Sequence, residues 1–156
     1  MEHDVYVRIS EPRDIEAIAE MNCAMGWETE RIRLDRLTLL QGVQAVFEDR
    51  QRGFYVVAES EAHVVGCLLI TFEWSDWRCG QFWWIQSLYV RPSFRRRGVF
   101  RQLHEFARTE ASRRHEVCGL RLYVEQTNRV AQRAYEHMGM QARSYRMYEQ
   151  ALAENE

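Results

Sequence analysis

The 156-residue sequence predicts a mixed α/β (α+β) domain, its central sheet mostly antiparallel and flanked by helices, in the order β-α-α-β-β-β-α-β-α-β. Three observations carry that expectation. Short runs rich in β-branched and aromatic residues alternate with longer runs whose apolar residues recur at helical spacing. The breaks between runs are short and polar, with no repeat, low-complexity tract or linker among them. Hydrophobic residues make up 46% of the chain and aromatic residues 12%, ample for one packed core. A single domain over residues 1–156 is therefore expected, at the ordinary size for one fold unit.

Each element has its own signal. Residues 5–9 alternate around Val5, Val7 and Ile9 and read as a strand. Ser10 stands as an N-cap, with Glu11 and Pro12 in the first turn of a helix carrying Ile15, Ile18, Ala19 and Met21. The polar segment around Glu28 leads into a second helix bearing Leu34, Leu37, Leu40, Val43 and Phe47. Residues 54–58 and 64–72 are two strands, and the few polar residues between them make an antiparallel hairpin. After Trp74-Ser75-Asp76-Trp77 a strand over 82–90 ends at Arg91-Pro92. Phe100, Leu103, Ala107 and Ala111 mark a helix, and 120–124 a further strand. Asn128 opens a helix bearing Ala131, Ala134, Tyr135 and Met138, which Gly139 stops. Residues 145–148 supply a last strand, and 151–156 read as a frayed tail.

Composition excludes several classes. No apolar run nears the roughly 20 residues that span a bilayer, and Met1-Glu2-His3-Asp4 does not open a secretory signal. A soluble, cytoplasmic protein is expected, with no membrane partner. Cys23, Cys67, Cys79 and Cys118 form no C-x-x-C pair, and the 5 histidines show no ligand spacing, so no metal is expected. All 21 basic residues are arginine, and the net charge is -2. The charge is uneven. Residues 1–90 hold 8 Arg against 15 acidic residues, net -7, whereas 91–114 hold 8 Arg against Glu105 and Glu110, net +6.

That basic island opens where a strand meets a helix, at Arg91-Pro92-Ser93-Phe94-Arg95-Arg96-Arg97-Gly98-Val99-Phe100. A glycine just before an amphipathic helix lets successive N–H groups converge, and the helix dipole adds to their pull on an anion. Arginines beside the loop supply forked donors for phosphate oxygens. A P-loop is excluded because it ends in Gly-Lys-Ser/Thr and the chain has no lysine. There is also no G-x-G-x-x-G dinucleotide fingerprint.

Arg95-x-x-Gly98-x-Phe100, directly after its strand, resembles the acyl-CoA pyrophosphate loop of the GNAT superfamily of N-acetyltransferases. Asn128-x-x-Ala131-x-x-x-Tyr135-x-x-x-Gly139 resembles the second motif of that family. Phe100 departs from the pattern, standing where the family usually has a small residue. The resemblance implies a GNAT-like fold and acetyl-CoA as cosubstrate. Leu88, Tyr89 and Val90 would then pair with the pantetheine arm. Arg95, Arg96, Arg97, Gly98, Val99, Phe100 and Arg101 would hold the pyrophosphate, and Asn128 would contact the pantetheine or the loop end. A backbone N–H near Leu88 would stabilise the oxyanion, and Tyr135 would serve as general acid.

The family often places a glutamate base on the strand that here reads Trp83-Trp84-Ile85-Gln86-Ser87, which has no carboxylate. Glu73 is the candidate base, with Asp76, Glu125 and Glu30 as substitutes. Trp27, Glu30, Trp74, Asp76, Trp84 and Gln86 are the candidate acceptor-binding residues. Aromatic faces beside carboxylates suit a cationic or aromatic amine.

The expected activity is transfer of an acetyl group from acetyl-CoA to a primary amine of a small molecule or peptide, by direct attack in a ternary complex. The alternative is a catalytically silent acyl-CoA-binding or sensing domain. A nucleic-acid-binding module is disfavoured, because the basic island is one short loop and helix between acidic segments. A homodimer is compatible with the resemblance.

Overall fold

The computed structural model of the chain describes residues 4–152. Five strands form one sheet in sequential order: β1 (Tyr6–Ile9), β2 (Phe54–Ser60), β3 (His63–Ser75), β4 (Gly80–Val90) and β5 (Val117–Leu122). Neighbours from β1 to β4 pair antiparallel, and β4 pairs with β5 in parallel. That parallel pair needs a long crossover, which the helix α3 (Val99–Ser112) supplies. The fold is thus the mixed, mostly antiparallel sheet with flanking helices that the sequence predicts.

The period of two along each strand sorts the core into two layers. Val56 and Ala58 of β2 pack with Leu68, Ile70, Trp83 and Ile85 against Val99, Leu103 and Ala107 of α3. Their neighbours Tyr55 and Val57 join Cys67 and Tyr89 in packing against Ile18 and Met21 of α1 (Ile15–Glu30) and Val43 of α2 (Arg36–Glu48). The sheet therefore has α3 on one face and the α1–α2 pair on the other. Each fully buried aliphatic side chain contributes about 1.5–3 kcal/mol of transfer free energy.

The β2–β3 hairpin closes in two residues, Glu61 and Ala62, both with left-handed φ (49° and 63°). Such a turn matches the right-handed twist of the strands it joins. For that reason β2 runs on to Ser60 and β3 begins at His63, while pairing with β4 carries β3 on to Ser75.

Four expectations need correction. Ser10 is not a cap: its N–H pairs with Tyr55 O at 3.0 Å, extending the β1 ladder, and Glu11 instead opens a short turn over Pro12–Asp14. The polar segment around Glu28 is not an entrance to the second helix but the end of the first. The first helix runs to Glu30, and Asp35 caps α2 through Thr38 N–H at 2.8 Å. β5 lies three residues earlier than expected, because Val117, Gly119 and Leu120 pair with β4 while residues 123 and 124 do not. The last strand over 145–148 is not formed; Tyr145, Met147 and Tyr148 are exposed on irregular chain. Most of the tail expected to fray, 153–156, lies outside the described residues.

The chain divides into two compact units at Tyr123 and Val124. In the second unit, Arg129–His137 form α4 behind the N-cap Asn128, whose side-chain oxygen accepts from Ala131 N–H at 3.1 Å. Gly139, at φ 89°, ends it with its N–H on Glu136 O.

Candidate active site

β4 is the backbone of the site. Opposite β3 its register shifts between Cys67↔Tyr89 and Leu69↔Gln86, so Ser87 and Leu88 together face Leu68. This is a β-bulge, and Ser87 takes a left-handed φ of 50° to make it. On the other edge the ladder with β5 ends at Ile85↔Leu122. Residues 86–90 are therefore paired with β3 alone, and their outer edge can accept an extended partner by strand addition. A bulge beside such an edge turns backbone amides away from the ladder, which is the arrangement an oxyanion requires.

From Val90 the chain passes a short turn, Pro92–Phe94, and enters the arginine loop. Arg96 has φ 63° and Gly98 φ 78°, so the backbone curls just before α3. Gly98 is the N-cap of α3 and makes no side-chain cap. The first helical bond is Gln102 N–H to Gly98 O at 3.0 Å, so the amides of Val99 and Arg101 have no partner within the helix. A Cβ at Gly98 would meet nothing within 4 Å, which leaves an open cradle in front of those amides. Arg96, Arg97 and Arg101 form no ion pair among the described residues. Charge, donors and space thus fit a pyrophosphate.

Arg95 behaves differently from its neighbours. Its Nε donates to Val90 O at 2.9 Å, an Nη donates to Glu28 at 2.6 Å, and its guanidinium lies 5.3 Å from the Tyr89 ring centroid. The Tyr89 hydroxyl also donates to Glu28, at 2.7 Å. Hydrogen bonds from Tyr89 and then Arg95 hold the Glu28 carboxyl below the usual range. Arg95 is therefore a tether joining the loop, the end of β4 and the end of α1. Sequence reasoning set Glu28 between the first two helices and did not foresee its bonds to Tyr89 and Arg95. The available signal was helical spacing, since Glu28 lies 7 residues beyond buried Met21, on the same face of an uninterrupted α1.

The candidate acceptor and base residues are scattered. Trp84 stacks on Tyr123 at 4.5 Å, and Gln86 donates to Thr71 Oγ1 at 2.6 Å. By alternation from Trp83 and Ile85, both lie on the α1–α2 face of the sheet. Trp83 itself is core. Trp74 and Trp77 are exposed, 60% and 88%, and Asp76 accepts the N–H of Trp77 in the β3–β4 turn. Glu73 is ion-paired with Arg121 at 2.5 Å, and that guanidinium covers Phe82. Glu30 is exposed at the end of α1 next to Trp27, over whose ring Arg31 and Arg33 lie.

In the second unit Tyr135 sits on α4, and burial pushes its phenol up to about 12. Glu125 is drawn below the carboxylate range by the side chain and backbone of Thr127. A cavity of about 530 Å³ is lined instead by residues such as Arg8, Asp14, Ser60, His63 and Arg91, and by none of the candidate cofactor or acceptor residues. Among the described residues, no group of three His, Cys, Asp or Glu side chains is placed to hold a metal ion. No described helix is long and apolar enough to cross a membrane.

A bulged fourth strand, an open edge beyond it and an uncapped helix behind a glycine are features of an acyltransferase site. The chain matches the model of the Acetyltransferase (GNAT) family over residues 15–140, and it belongs to that family. Its fold is shared with a possible acetyltransferase from Clostridium difficile 630, at 37% identity and TM-score 0.89, covering 96% of this chain and 98% of that one. It is also similar to a ribosomal-protein-alanine N-acetyltransferase from Brucella melitensis biovar Abortus 2308, at 15% identity and TM-score 0.77 over 96% and 100% of the two chains. An aminoglycoside N-acetyltransferase in complex with CoA matches at 13% identity and TM-score 0.77 over 98% of each. No curated protein matches the chain significantly by sequence.

Proposed function

We propose that the chain is an acetyl-CoA-dependent N-acetyltransferase, acting as one domain on a primary amine of a small molecule or peptide. The observation that carries this reading is the uncapped N-terminus of α3 behind left-handed Gly98, set at the end of a strand that is bulged at Ser87 and free of β5 beyond Ile85. The match to the family model across both compact units supports one working domain.

The amides of Val99 and Arg101, with Arg96 and Arg97, would hold the pyrophosphate. Leu88, Tyr89 and Val90 would pair with the pantetheine arm, and Asn128, besides capping α4, would serve the pantetheine. Acetyl-CoA supplies the activated acyl group. The chain's own contribution is to orient it, to stabilise negative charge on the carbonyl oxygen at the bulge, and to assist departure of the sulfur. Tyr135 stays protonated at neutral pH because its phenol is raised, so its role is acid or hydrogen-bond donor, never base. An ordinary thiol ionises near 8.5, so hydrogen bonding to the sulfur is the larger part of that role.

A general base needs an affinity for protons near the working pH. Glu28 and Glu125 are held too acidic, Glu73 is paired with Arg121, and Gln86 is bonded to Thr71. The acceptor is therefore taken up as the neutral amine, its proton lost to water.

Release of free CoA across a panel of primary amines tests the reading. Turnover with at least one amine is expected, and Tyr135→Phe lowers kcat by about 100-fold. Binding of acetyl-CoA with no release from any amine would favour the silent acyl-CoA-binding domain instead.

A further inference from the structure

We infer that the amine accepted by this enzyme carries an oxyanion, a carboxylate or a phosphate, held by Arg31 and Arg33 beyond the end of α1; this rests on the N-acetyltransferase reading above. Arg31 caps α1 in a left-handed conformation, φ 56°, with its N–H on Trp27 O at 3.2 Å. The chain then folds back along the helix: Ile32 N–H bonds Gly26 O at 3.2 Å, and a Cβ at Gly26 would stand only 3.0 Å from Leu34. The segment carrying the two arginines is thus seated on the helix rather than hanging from it.

Both guanidiniums lie over the Trp27 indole, Arg31 at 5.5 Å and Arg33 at 5.4 Å from its centroid. Stacking on an aromatic face fixes a guanidinium while leaving its in-plane N–H donors free, and those donors match an oxyanion in a forked pair. Of the nearby carboxylates, Glu30 is exposed at the end of α1 and three others are bonded to other groups. Glu16 pairs with Arg36, Asp35 caps α2, and Glu28 accepts from Tyr89 and Arg95. Among the described residues neither Arg31 nor Arg33 has an ion pair with a carboxylate. Two cations held to one ring without a carboxylate counter-ion leave positive charge that an anion can neutralise.

The location ties this pair to the reaction. Glu28, adjacent to Trp27, is bonded to the Tyr89 hydroxyl at the end of β4, just past the bulge. A cationic acceptor, suggested by the tryptophans and carboxylates of the sequence, is disfavoured at this corner because Glu28 is bonded to Tyr89 and Arg95 and the Trp27 indole already carries two arginines.

The test measures CoA release with α-amino acids, the matching amino-acid amides, and aminoethyl phosphate beside ethanolamine. KM is expected to be about tenfold lower for the charged member of the preferred pair. Which pair shows the difference tells carboxylate from phosphate. Arg31→Gln/Arg33→Gln erases that preference, moving KM far more than kcat, with unchanged far-ultraviolet circular dichroism. Equal KM for charged and neutral members would overturn the inference while leaving acyl transfer intact. So would a double variant that loses affinity for acetyl-CoA itself by calorimetry, since the arginines would then serve the cosubstrate. Absence of release with every amine overturns the acyl-transfer reading and this inference with it.

Discussion

Gly98 shows how one residue carries both conformation and chemistry. Its φ of 78° lies where a Cβ costs about 1–2 kcal/mol, while the space around it is open. Gly98→Val should therefore fold, with a melting temperature lower by roughly 2–8 °C, and bind acetyl-CoA about tenfold more weakly because the amides no longer converge. Calorimetry and thermal melting separate the two effects. Proton loss by the acceptor gives a second expectation. With Glu28, Glu73 and Glu125 each engaged by other groups, log kcat/KM should rise with unit slope as pH approaches the acceptor's own pKa. A plateau near pH 7 with a strongly basic amine would reveal a base among the carboxylates. His104 gives the third. It is 1% exposed on α3, and neither ring nitrogen has a hydrogen-bond partner among the described residues. Burial lowers its pKa, so the unfolded chain takes up the proton first. Its penalty is absent above the unfolded value and grows as pH falls below about 6.5. His104→Leu should flatten the melting temperature between pH 5 and 7.

At the scale of elements, Arg8 on β1 joins Asp14 at 2.8 Å and Glu59 on β2 at 2.6 Å, with Asp14 only 3% exposed. Burial opposes ionisation of Asp14, but bonds from Arg8 and the Glu11 N–H outweigh it and hold the carboxyl below its usual value. That contribution is present above the unfolded pKa and lost as pH falls through the folded one, a window below that of His104. Asp14→Ala leaves the Arg8 guanidinium with Glu59 as its remaining carboxylate and should cost about 1–3 kcal/mol in denaturant unfolding. The same scale shows what the residue pattern could and could not reveal. Strands were legible because Tyr55/Val57 and Val56/Ala58 face opposite layers. The end of α1 was not, because Glu28 looks like a helix entrance until its bonds to Tyr89 and Arg95 are seen. Tyr145, Met147 and Tyr148 have strand character, yet pattern alone does not provide a pairing partner. The arginine loop was legible as a phosphate cradle, whereas Arg95's use as a tether depends on α1, distant in sequence.

For the whole molecule, the sheet sets everything in place. Four antiparallel strands build a rigid platform, and the single parallel pairing ends at Ile85↔Leu122, which opens β4 just where it bulges. The net charge of the chain is divided between an acidic first 90 residues and the basic stretch that follows, where the helix α3 begins. The most direct test of the proposed activity is a calorimetric titration of the full chain with acetyl-CoA. One saturable site of micromolar affinity, weakened about tenfold by Gly98→Val, is the expected result. No heat of binding up to high micromolar acetyl-CoA, or binding indifferent to Gly98→Val, would contradict it.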